Sequence, residues 1–226
     1  MPTTTHPPSQ TLAAEVLRRL RDDIIWCRLM PGASLRFEAL KESYGASFST
    51  LREALSALVA AGLVVSEEQR GFRVAPVSRR ELMDLTETRV LVERQLLALA
   101  IEVGGDEWEI QCAAALHRMT LVLQRHGAST TPEWKQAHAQ FHLALVSAAP
   151  SPLLLGFRSS LYDRSERYRS LKALFKKSTT DKAKEHKSIL DATLSRNTAK
   201  AQKLIDQHIR VTTTELLRHA AGLLDD

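Results

Sequence analysis

The chain has 226 residues, 44% hydrophobic and 25% charged, which is globular composition and room for one large domain or two small ones. Its longest apolar run, around Leu96–Ile101, falls far short of the roughly 18 residues that a membrane span needs, and the N-terminal Met-Pro-Thr-Thr-Thr-His-Pro-Pro-Ser-Gln lacks the basic region and apolar core of a secretion signal. Two widely spaced cysteines, Cys27 and Cys112, exclude a disulfide scaffold and a zinc ribbon, so a protein of the reducing cytoplasm, away from any membrane, is expected. The net charge of +5 favours an anionic partner without saying where it binds: residues 1–76 hold 9 basic and 8 acidic side chains, and residues 77–226 hold 22 and 18. Pattern has to locate the binding surface.

Nine glycines and eight prolines are few for this length, and long segments repeat their apolar residues every 3.6 positions, so the chain is expected to be mainly helical. Residues 1–10 read as a disordered arm. Leu12, Val16, Leu20, Ile24 and Ile25 share one face of a helix that runs to Trp26, and Met30-Pro31-Gly32 ends that element in a turn. A short helix follows over Phe37–Tyr44, stopped by Gly45. Ser47 can cap the next one, which buries Leu51, Leu55, Leu58 and Val59 and ends at Gly62. The period then changes to two short β-prone runs, Leu63–Ser66 and Phe72–Val74, around a hairpin loop over Glu67–Gly71. Three helices and a two-stranded ribbon within residues 11–76 make a winged helix-turn-helix.

Ala75-Pro76-Val77 reads as a linker, and Ser78-Arg79-Arg80-Glu81 as a capping box opening a helix to about Val103. After a break at Gly104-Gly105-Asp106, helices are expected over Trp108–His126, from Thr131-Pro132 to about Ala148, and over Leu153–Phe175, Asp181–Leu194 and Thr198–Leu224. Residues 77–226 thus form a separate all-α domain of six or seven helices.

In the N-terminal segment, Leu51-Arg52-Glu53-Ala54-Leu55, Gly62-Leu63-Val64 and Arg70-Gly71-Phe72-Arg73-Val74 resemble the GntR family of bacterial transcription regulators. The resemblance implies that the third helix enters the major groove of operator DNA. Ser47, Ser49 and Thr50 would then hold phosphates, Arg52 would reach base edges, and Arg70 and Gly71 would form the wing tip. Hydroxyls and N–H groups at a helix start suit phosphate, and arginine can grip guanine with two bonds. Phe48 and Glu38 stand where many relatives carry arginine, which points to a different operator; Arg36 supplies part of the missing charge. A solvated Arg52-Glu53 face with a merely structural ribbon is the competing reading.

Four of the eight histidines are spaced for convergence. His138 and His142 lie four residues apart on one helical face; His186 and His208 lie 10 residues before and 12 after the turn at Arg196. Singly, each would be an ordinary core or surface residue. Together they resemble the FCD effector domain of the FadR-type GntR subfamily, over residues 12–220, and the resemblance implies a bound divalent ion: zinc first, nickel or manganese next. Most members carry aspartate where this chain has His138. A minority group that includes the glutarate-responsive repressors has histidine there, and also resembles this chain in Leu35-Arg36 and in Gly104-Gly105-Asp106-Glu107-Trp108-Glu109.

Exchanging a carboxylate for a neutral imidazole leaves a dication uncompensated, which favours an anionic ligand on it. The resemblance therefore implies a homodimer on an inverted-repeat operator, probed by a small organic acid such as glutarate or 2-hydroxyglutarate. Arg89 matches an Arg…Glu pattern with Glu93; it either holds a carboxylate or forms an i,i+4 ion pair. Arg164 and Tyr168 either point inward at the effector or belong to a solvated face. The alternative is the same regulator with a purely structural metal and the effector elsewhere in the bundle; a metal-dependent hydrolase is disfavoured, since four histidines crowd out an activated water and no glutamate sits beside them as in His-Glu-x-x-His.

Overall fold

The computed structural model describes residues 12–68, 70–126, 131–173, 182–219 and 224. The arm expected at residues 1–10 and the last turns expected beyond Ala173 and His219 lie outside them. The chain divides into two compact units, Met1–Val77 and Ser78–Asp226.

The first unit is built on α1 (Leu12–Ile25), α2 (Phe37–Tyr44) and α3 (Phe48–Ala60). Val16, Leu20 and Ile24 of α1 meet Leu51, Leu55 and Leu58 of α3 in one core, all but excluded from solvent. Each such aliphatic side chain contributes about 1.5–3 kcal/mol by leaving water. The sheet has three strands, not two. Besides β2 (Val64–Glu67) and β3 (Gly71–Val74), a strand β1 (Ser34–Leu35) pairs antiparallel with β3, in the order β1-β3-β2. Two residues carry no readable alternation, so β1 emerges only from its register, Ser34 opposite Arg73 and Leu35 opposite Phe72.

The second unit holds α4 (Arg79–Val103), α5 (Asp106–His126), α6 (Pro132–Val146), α7 (Pro152–Ala173), α8 (Lys182–Leu194) and α9 (Thr198–His219). Ser78 caps α4 as expected, its side chain accepting from the Glu81 N–H at 3.0 Å. Gly104 is required at the α4–α5 corner, because a Cβ there would sit 2.2 Å from the Trp108 ring. That indole is fixed in turn by donating to the Ala144 carbonyl at 2.9 Å, and Cys112 reaches the same oxygen at 3.3 Å. Burial pushes the Cys112 thiol up to about 12, so it is an inert packing group. No helix among the described residues is long and apolar enough to cross a membrane.

Candidate functional site

In the first unit, the start of α3 is organised as the sequence implies. Ser47 is extended at φ −67° and ψ 160°, and its Oγ accepts from the Thr50 N–H at 3.2 Å. The Ser49 and Thr50 hydroxyls each lie 2.9 Å from that oxygen, so three hydroxyls cluster where α3 presents its unpaired N–H groups. Arg52 is exposed one turn on and makes no ion pair among the described residues. Arg36 is exposed at the start of α2, and Arg70 and Gly71 are exposed at the wing turn. Gly71 has φ +88°, a left-handed conformation that side chains resist, so the residue type is set by the turn.

Phe48 has a role the sequence did not disclose. Its ring lies 4.2 Å from that of Phe37, which meets Phe72 edge-on at 6.0 Å, so the α3 start, α2 and the wing are joined through aromatic packing. Arg73 adds to this by donating to Glu67 at 3.0 Å and to the Gly32 carbonyl at 2.7 Å.

The second unit brings all four predicted histidines together. Thr131 caps α6 by accepting from the Trp134 N–H at 3.2 Å, and Pro132 fits the first turn, where no donor is needed. The buried stripe of α6 then runs Trp134, Ala137, His138, Phe141, His142 and Leu145. His186 faces the same core beside Ile189 of α8, and His208 lies beside Ile205 and Ile209 of α9. The four ring-nitrogen ligand atoms all lie within 4.8 Å of one another, and the four residues are at most 6% exposed. The remaining histidines expected on the surface include His117 and His126, both exposed; His6 lies outside the described residues, as does the side chain of His219.

Burial, helped by neighbouring positive charge, holds His138, His142 and His208 in the neutral, ligand-ready form. Desolvation lowers His138 and His142 well below the usual value, with help from Arg169 on the first and from the other histidines on both. Desolvation also lowers His208, partly countered by Glu185, whose Oε2 lies 3.1 Å from His208 Nδ1. The His142 Nδ1 is buried with no hydrogen-bond partner among the described residues, an omission folded proteins rarely leave unfilled. Four converging imidazoles, with the His142 Nδ1 left orphaned among them, fit a zinc-like ion.

The shell around the rings contains groups that the sequence reading missed. Tyr162 Oη lies 2.9 Å from His138 Nδ1, and burial holds its proton firmly on the oxygen. Arg169 Nη1 lies 3.0 Å from the same nitrogen and donates to Glu166 at 2.7 Å. Arg158 is 3% exposed, donates to Glu93 Oε1 at 3.1 Å and lies 4.7 Å from the Tyr162 ring centre. Arg89 forms the ion pair with Glu93, one of its two readings, and it also packs on Tyr162. Its Nε is 3.5 Å from the same Glu93 oxygen, and its guanidinium lies 4.8 Å from the Tyr162 ring. Arg158, Tyr162, Glu166 and Arg169 recur at helical spacing, a polar stripe that marks the inner face of α7.

Arg164 and Tyr168 are placed elsewhere. Arg164 donates to Glu81 Oε1 at 2.7 Å and Tyr168 to Glu81 Oε2 at 2.6 Å, and neither touches a histidine among the described residues. Tyr168 is fully buried, so it is not part of a solvated face either.

Residues 12–74 match the family of bacterial regulatory proteins, gntR family, and residues 84–211 match the FCD domain. The chain belongs to the GntR family and carries an FCD domain. Among its relatives, the HTH-type transcriptional repressor GlaR of Escherichia coli (strain K12) is 38% identical over 211 residues, covering 91% of this chain and 96% of that one. BphR of Paraburkholderia xenovorans (strain LB400), an uncharacterized HTH-type transcriptional regulator, is 37% identical over 203 residues, covering 88% and 83%. The fold is similar to that of E. coli McbR/YncC, with a TM-score of 0.80 at 19% identity over 92% of this chain and 98% of that one. This GntR-family chain is therefore a DNA-binding transcriptional regulator, with its reading head in the first unit and its FCD domain in the second.

Proposed function

We propose that the chain is a homodimeric repressor, released from an inverted-repeat operator when a small carboxylate binds a divalent ion held by His138, His142, His186 and His208. The observation that carries this reading is the four buried imidazoles within 4.8 Å in a chain that also has a DNA-reading head. Zinc is the ion of choice for such a neutral nitrogen set. Repression is favoured by GlaR, which is named as a repressor.

Charge supports the carboxylate. Arg89 and Arg158 share Glu93, Arg169 pairs with Glu166, and Glu185 faces the neutral His208, so three cations stand against three carboxylates around the rings before any ion arrives. A divalent ion then adds a charge of about +2 that no side chain of the site neutralises, and an anion on the ion relieves it. Arg89 is the first choice for a second anchor, and Arg158 Nη2, buried without a partner among the described residues, is available beside it. Glutarate or 2-hydroxyglutarate, with carboxylates at both ends, suits an ion and an arginine together.

The test is titration of the protein–DNA complex with glutarate, using zinc-loaded and chelator-treated protein. The reading expects release only from the zinc-loaded form, and a weaker response after Arg89→Ala with the ion retained. Equal half-maximal concentrations in both forms would mean that the effector ignores the ion. For the reading head, Arg52→Ala is expected to cost about 1–3 kcal/mol of specific operator binding with helicity unchanged, the worth of a bidentate base contact. An unchanged affinity in a gel-shift titration removes Arg52 from the reading face.

A further inference from the structure

The Tyr168 hydroxyl is the meeting point of three polar contacts at the start of the second unit. It accepts from the Ser78 N–H at 3.2 Å and donates to Glu81 Oε2 at 2.6 Å, with the Ser78 carbonyl a second acceptor at 3.2 Å. Arg164 grips the other Glu81 oxygen at 2.7 Å, and Arg167 approaches from 3.5 Å. Ser78 is the first residue of the second unit and the cap of α4. The cluster therefore pins the point at which the chain enters the helical unit.

The same two helices reach the histidine centre. Glu93 of α4 meets Arg158 of α7, and Glu81 of α4 meets Arg164 and Tyr168 of α7, so the pair runs antiparallel from the histidines to Ser78. Along α7, Tyr162 beside His138 and Tyr168 beside Ser78 are six residues apart, about 9 Å at 1.5 Å per residue. Six residues are fewer than two turns of this packed helix, which moves as one piece over that span. Any displacement of Tyr162 or Arg158 on loading the centre is delivered to Tyr168.

We propose that Tyr168, with Glu81 and Arg164, is the lock through which the state of the histidine centre sets the position of Ser78 and hence of the linker to the reading head. Tyr168 is a positioning residue: it transmits, and takes no part in binding ion or effector. The inference rests on the reading that the four histidines take up a metal, and it adds where that event is read out. It also explains why polar groups are gathered around the buried Tyr168 hydroxyl, where apolar packing alone would hold the two helices together.

Hydrogen exchange on the full chain, with and without zinc alone, tests the lock. Zinc is expected to slow exchange in residues 138–142 in both wild type and Tyr168→Phe. At residues 78–82 it should slow exchange at least about fivefold in wild type, the low end of couplings between sites, and leave Tyr168→Phe unaffected. Phenylalanine fills the same buried space, so the variant keeps its fold; Glu81→Gln is the second variant and should behave alike. A merely structural role would raise exchange at residues 78–82 with and without zinc and preserve the difference between the two states. That outcome overturns the lock. Protection at the histidines with none at Ser78 in wild type overturns it too, leaving the metal reading intact. No protection at either place sinks the metal reading and the lock together.

Discussion

Glu93→Ala is expected to destabilise the helical unit by about 3–5 kcal/mol, because it strands two buried guanidinium groups without their counter-charge. The Glu93 side chain is 2% exposed, and those of Arg89 and Arg158 are 7% and 4% exposed. One carboxylate oxygen serves both arginines, from its own helix and from α7. Removing it therefore leaves two uncompensated charges where a surface pair would leave none, and also cuts a tie between α4 and α7. Glu93→Gln keeps the shape and one acceptor, so its loss should be smaller. Denaturant titration read by amide exchange in residues 78–219 separates this unit from the reading head, which should be unaffected. A loss under about 1 kcal/mol, the worth of an exposed pair, would mean that water reaches the arginines and the cluster is not sealed.

Removing the ion should have an effect of similar size. A ligand present at 1,000 times its dissociation constant stabilises the folded chain by about 4.1 kcal/mol, and a chain of this size shifts its melting temperature by about 2–4 °C per kcal/mol. Untagged protein is expected to bind one zinc per chain, to melt lower after chelation, and to lose the zinc-dependent increment in His142→Ala. The pH dependence has a definite sign. His138, His142 and His208 are lowered from the ordinary 6.5 in the folded chain, so below about that pH the unfolded chain takes up protons that the folded one refuses. The stability they contribute is complete above 6.5 and is lost as pH falls below it. Zinc is lost only further down, where the folded imidazoles themselves take up protons, since only neutral imidazole is a ligand. Four His→Ala variants that melt like wild type, in protein with no measurable zinc uptake, would leave the histidines as ordinary core residues.

The legible and the hidden parts of this site differ in how far apart in the chain their partners lie. His138 and His142 are one helical turn apart, and His186 and His208 flank a single turn, so local periodicity was enough to bring each pair together. The partner of Glu93 is Arg158, 65 residues away, and that pairing depends on how α4 docks against α7, which no local pattern specifies. The same holds for Tyr168 and Ser78, 90 residues apart; helical spacing showed that Arg164 and Tyr168 share a stripe, but not which neighbour that stripe meets. Strand β1 escaped for the opposite reason, being too short to show a period. Phe48 was visible only as a departure from an arginine. Its partners Phe37 and Phe72 gave it a meaning once the three rings were in contact.

Trp134 stacks on His138, with ring centres 4.7 Å apart and planes inclined by 26°, and is 1% exposed. Of the other two tryptophans, Trp26 lies in the first unit and Trp108, tied to the Ala144 carbonyl, makes no ring contact with the four histidines among the described residues. One indole is thus in face-to-face contact with the His138 imidazole and sheltered from water. Its excited state will respond to whatever that imidazole does, whether it gains a proton, meets a cation or rotates. The protein carries its own optical gauge, and if the centre takes up an ion as proposed, a fluorimeter would follow that event on the unlabelled chain, in real time and on DNA.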